Sequence, residues 1–188
     1  MLDLLPHGGH GSIDDVHVSA NAWRRGTTLT LTFSLTGALG RVWVPAPTAP
    51  RMTEGLWRRT CFEAFVGRDG SEAYHELNLS PSSEWAVLAF GSYRTGGALH
   101  DPAVAPETRI RREVGAITLE AVVSLAQLDA AYVGGPVRVG LTAVVEDRRG
   151  ACTYWALAHA PGAPDFHRAV GWTLCLEAPR GACDGDSS

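Results

Sequence analysis

Lysine is absent from the 188 residues, and all sixteen basic side chains are arginine. That bias marks a skewed base composition, and it makes every fixed cation a planar fork suited to carboxylates and sugar hydroxyls. Against twenty acidic residues the formal net charge is -4, with the signs interspersed, so the chain projects no field that would draw in nucleic acid. Long apolar runs are missing too: no window approaches the ~18 residues of a membrane span. The opening Met1-Leu2-Asp3-Leu4-Leu5-Pro6-His7 lacks the basic-then-apolar order of a secretory signal. These absences predict a cytoplasmic protein with no membrane partner. GxGxxG and Walker patterns are lacking, which removes the phosphate-cradling loops. The four cysteines, at 61, 152, 175 and 183, form no CxxC pair and read as free thiols. Cys61, Cys152 and Cys175 fall in apolar runs and are expected to be small buried hydrophobes.

What is present is a period of two. Leu29, Leu31, Phe33 and Leu35 alternate with Thr28, Thr30, Thr32 and Ser34, the pattern of a half-buried strand. A hairpin through Arg24-Arg25-Gly26 would pair it with Val16 to Trp23. Strand-like runs continue at 41–44, 60–66, 74–80, 85–90, 107–113, 116–124, 137–146, 151–158 and 171–177, separated by Gly, Pro, Asp and Ser punctuation. Only 125–132 suits a helical turn. The reading is an all-β, antiparallel β-sandwich of about ten or eleven strands, jelly-roll or immunoglobulin-like, with at most one short helical turn. Residues 13–178 would form the single domain, with a flexible 1–12 segment and a disordered 179–188 tail.

Alternation puts Cys61, Glu63 and Phe65 on one face of one strand, and Tyr74, Glu76, Asn78 and Ser80 on one face of the next. Enclosed carboxylates need donors, for which Arg59, Arg94 and Asn78 are the candidates. Such a row is either a structural network or a ligand site. A ring, a carboxylate, an amide and a guanidinium on one concave face suit a sugar, whose C–H face stacks on the ring while its hydroxyls exchange hydrogen bonds.

The stretches from Leu56 to Gly67 and from Tyr74 to Trp85, then Tyr93-Arg94 and the run His159 to Trp172, resemble DOMON-like proteins related to family 9 carbohydrate-binding modules. The resemblance spans roughly Trp23 to Glu177. It implies a sandwich that holds a sugar or a haem on one sheet face, without transferring an activity. In sugar-binding relatives paired tryptophans clamp the sugar, which makes Trp57 and Trp155 the clamp candidates beside Glu63, Glu76, Asn78 and Arg94. Trp43, Trp85 and Trp172 read more easily as core. For haem, the axial ligands would come from Met52 and a histidine.

The leading expectation is a non-catalytic domain that binds a saccharide or cell-wall fragment through Trp57, Arg59, Glu63, Glu76, Asn78, Arg94, Trp155, His159 and His167. No metal or cofactor is expected, and His7, His10 and His17 match no standard metal spacing. Three alternatives stay open: an interaction or scaffold domain without a small ligand that pairs with a partner or with itself, a haem-binding domain, and a hydrolase-like enzyme using His159 or His167 as a base oriented by Asp165.

Overall fold

The alternating segment folds as its period dictates: along Thr28–Gly37 (β4) the side chains of Leu29, Leu31, Phe33 and Leu35 are fully buried, and the threonines between them face outward. It pairs with Val16–Arg25 (β3) on one side and Ala116–Ser124 (β10) on the other. Leu2–Asp3 (β1) and Glu107–Glu113 (β9) complete a five-stranded sheet in the order β1-β3-β4-β10-β9. The computed structural model describes residues 1–8 and 12–178. His10, Cys183 and the expected 179–188 tail lie outside them.

The second sheet carries Leu5–Pro6 (β2), Cys61–Gly67 (β5), Tyr74–Leu79 (β6), Trp85–Ser92 (β7), Thr95–Leu99 (β8), Val137–Glu146 (β11) and Cys152–Ala156 (β12), ordered β2-β12-β11-β5-β6-β7-β8. Leu174–Leu176 (β13) also pairs with β11. Every strand pairing is antiparallel, and the two sheets pack as a sandwich. Phe33 of the first sheet stacks on Phe62 of the second with ring centres 5.1 Å apart, at the heart of the core.

Among the described residues the single α-helical turn is Leu125–Leu128, inside the stretch read as able to form one. The strand expected at 41–44 is instead a 3-10 turn at Leu39–Arg41 followed by one isolated bridge from Val42 to Asp147. Residues 1–8, expected to be flexible, strap the sandwich: β1 joins one sheet, β2 joins the other, and Leu4 between them is buried. Cysteine burial follows strand parity rather than local hydropathy. Cys61 is buried and Cys152 half-buried, but Cys175 points outward from β13 and is exposed.

β5 and β6 are buried along their whole length on both faces. Phe62, Ala64, Val66, Leu77 and Leu79 face the core. The opposite side chains therefore need a second cover. Trp172 supplies part of it by lying flat on the sheet where two strands carry glycine: a Cβ on Gly140 would stand 2.4 Å from its ring, and one on Gly67 2.8 Å. Phe65, Tyr74 and Trp172 form a small second core there, with Phe90 and Phe166 against it.

Candidate functional site

Beside that second core the outer face of the larger sheet holds a hollow of about 390 Å³, a volume within the ~300–1,000 Å³ range of small-ligand sites. The strands set its floor. Antiparallel register places Glu63 opposite Asn78 and Phe65 opposite Glu76, so two carboxyls and a ring lie side by side on β5 and β6. Leu88 and Phe90 of β7, Val144 of β11 and Tyr154 of β12 extend the floor. The walls come from Trp57, on a 3-10 turn at Leu56–Arg58, from Arg94 at the β7–β8 turn, and from Pro164, Phe166 and His167 on the loop after β12.

Glu63 and Glu76 are only 2% and 5% exposed, which makes their ionisation costly. Each is held by one donor: the Thr142 hydroxyl donates to Glu63 Oε2 at 3.2 Å, and Asn78 Nδ2 donates to Glu76 Oε1 at 2.8 Å. Burial, then the charge of Glu76, pushes the Glu63 carboxyl well above the usual carboxylate range against the Thr142 hydrogen bond. Burial also raises Glu76, opposed by the Asn78 amide and by Arg94. The pair therefore resists carrying two charges at once. Burial together with Glu63 raises the Cys61 thiol beneath them.

A hydrogen-bonded chain closes the loop side. The backbone N–H of Arg94 donates to Tyr74 Oη at 3.2 Å, and the Tyr74 hydroxyl shares a hydrogen bond with His167 Nδ1 at 2.7 Å. His167 Nε2 lies 3.7 Å from Glu76 Oε2. Burial, and then the charge of Arg94, lowers His167 to about 4, so it is neutral at neutral pH and its approach to Glu76 is not an ion pair. Asp165 is fully engaged elsewhere. Its carboxylate accepts from Tyr93 Oη at 2.6 Å, Arg94 Nη2 at 3.0 Å, Arg168 Nε at 3.2 Å and the His167 backbone N–H at 3.2 Å. Burial would raise this carboxyl, but those hydrogen bonds and the Arg94 charge hold it below its ordinary value.

Of the residues expected at the site, Trp57, Glu63, Glu76, Arg94 and His167 line the hollow. Asn78 is fully buried and acts through Glu76 rather than on the cavity. Trp155 cannot complete a tryptophan clamp. Strand parity turns it into the core, where its Nε1 donates to Thr153 Oγ1 at 2.9 Å. Arg59 turns the other way, its guanidinium 4.5 Å from the Trp43 ring centre and 3.2 Å from Glu146. His159 sits by the N-terminal strap with Nε2 2.8 Å from the Leu5 carbonyl. The His167–Asp165 pairing that the enzyme alternative would use is not formed through the ring: the Asp165 carboxylate accepts from the backbone N–H of His167. Met52, the candidate haem ligand, bridges to Trp85 and does not line the hollow. Among the described residues no three His, Cys, Asp or Glu side chains converge as a metal site.

Phe90, Tyr154 and Phe166 were not read from the sequence as site residues. Phe90 and Tyr154 follow from parity once register is known, since they share a face with Leu88 and Val144. Phe166 is on a loop, where no period exists to place it.

Neither a family model nor a curated protein matches the sequence. Solved structures do match in fold. A protein from Bacteroides uniformis, provisionally described as carbohydrate-binding, superposes with a TM-score of 0.71 at 15% identity, over 94% of this chain and 84% of that one. A family 9 carbohydrate-binding module from Caldicellulosiruptor kristjanssonii in complex with cellotriose gives 0.62 at 8% identity, covering 100% and 88%. A module of that family from the same organism, in complex with glucose, gives 0.53 at 9% identity, covering 94% and 83%. This chain shares its fold with these structures.

Proposed function

We propose that the protein is a non-catalytic saccharide-binding domain whose site is the hollow on the outer face of the larger sheet. The observation that carries this reading is the composition of the hollow. Rings from Trp57, Phe65, Phe90 and Phe166 line the hollow beside two carboxyls fixed by neighbouring polar groups. A sugar ring has the matching character, with apolar C–H faces to stack and a rim of hydroxyls to pair. The cellotriose and glucose carried by the structurally similar modules support the same reading.

Calorimetry and thermal shift with glucose, cello-oligosaccharides and amino sugars test it. A binder raises the melting temperature in proportion to its saturation. Trp57→Ala is expected to weaken binding about tenfold, the loss of one stacking ring, without lowering the melting temperature of the free protein. Binding that survives in Trp57→Ala at full strength, or a panel in which no saccharide stabilises the protein, contradicts the proposal.

A further inference from the structure

We infer that the saccharide taken by the hollow carries a protonated amine: the site is built for an amino sugar in preference to a neutral or an acidic one. This rests on the reading of the hollow as a saccharide site and specifies its ligand class.

The observation is what each carboxyl has left over. Glu63 uses Oε2 to accept from Thr142, and Glu76 uses Oε1 to accept from Asn78. Among the described residues Glu63 Oε1 and Glu76 Oε2 accept no hydrogen bond, and His167 Nε2 lies 3.7 Å from Glu76 Oε2, beyond hydrogen-bond reach. No sealed-in side-chain oxygen is left unpaired among the described residues, so these two oxygens open onto the hollow. Each of these oxygens keeps accepting capacity that a ligand donor can use.

Among the described residues Arg94 is the one arginine lining the hollow: its guanidinium is bound to Asp165 at 3.0 Å, and it acts on Glu76 through its charge without hydrogen-bonding either carboxyl. His167 is uncharged for the reasons given above. Glu54 at the rim adds a further negative charge. A sugar hydroxyl can donate to one oxygen and brings no charge. An ammonium brings three donors and a positive charge, which favours the ionised form of carboxyls that burial otherwise pushes towards protonation. The aromatic lining also suits an organic cation. A sugar acid adds a negative charge beside Glu54, Glu63 and Glu76.

The test is calorimetry at low ionic strength with glucosamine, glucose, N-acetylglucosamine and glucuronate. Glucosamine is expected to bind at least about tenfold tighter than glucose. Acetylation of the amine should abolish that advantage, and glucuronate should bind weakest. The glucosamine preference should also shrink as salt is added, a readout that needs no variant. Glu63→Gln and Glu76→Gln, checked for folding by their melting transitions, should each lower glucosamine affinity more than glucose affinity and so erase the preference. Glucose binding as tightly as glucosamine overturns this inference and leaves the saccharide reading standing. Failure of all four sugars, including the case in which a simple alkylammonium binds alone, overturns both.

Discussion

Glu63 shows how one side chain sets the character of the site. Its parity on β5 was readable from alternation, and so was its company with Phe65, Glu76 and Asn78. Its isolation was not, because the number of donors reaching a carboxyl depends on β11 and on the loop after β12. Burial raises its pKa, so the folded state favours the protonated form. The stability this group contributes is complete below the ordinary carboxylate value and is lost as pH rises through the raised one. Glu63→Gln keeps the shape and removes the titration. The melting temperature of wild type should therefore fall below that of Glu63→Gln on going from mildly acid to alkaline buffer, by ~1 kcal/mol or more, about 3 °C for a domain of this size. The neutral histidines, His75 and His167, are common to both proteins and drop out of the comparison. Parallel melting curves across pH would show that Glu63 ionises freely. Trp155 marks the limit of reading residues one at a time. An indole beside a polar row looks like a clamp, yet one residue of parity places it in the core and leaves Tyr154 to face the hollow.

Elements were legible where a period of two ran long enough to count. β3, β4, β10 and β11 are nine or ten residues each and were anticipated nearly to their ends. The two-residue strands β1 and β2 carry no period at all, and β8, Thr-Gly-Gly-Ala-Leu, has a composition that reads as turn. Both kinds are specified by the neighbour they pair with. The glycines of β5 and β11 have a similar tertiary meaning. Gly67 and Gly140 weaken their strands locally but admit Trp172 flat against the sheet, which anchors the loop that walls the hollow. Gly140→Ala should push the indole off the sheet and cost about 1–3 kcal/mol in denaturant unfolding. Because His167 and Phe166 ride on the same loop, saccharide affinity should fall with it. A variant with unchanged midpoint and affinity would show that the ring does not need the bare backbone.

For the whole molecule, the fold class came from the sequence and the asymmetry between its two sheets did not. One sheet keeps a solvated face, with threonines and serine outward along β4, whereas the other is covered on both sides through β5 and β6. A second cover over a sheet is what makes an enclosed polar row, and it is assembled from loops that have no period to read. The expected sandwich was therefore visible in outline, while the hollow needed coordinates. Nuclear magnetic resonance of the labelled protein titrated with glucosamine is the most direct measurement of where the ligand sits. The account predicts that amide shifts concentrate in β5, β6, the Leu56–Arg58 turn and residues 164–167, and leave β3, β4 and β10 in place. Shifts confined to the five-stranded sheet, or spread over the surface with the β5 and β6 amides unmoved, would contradict it.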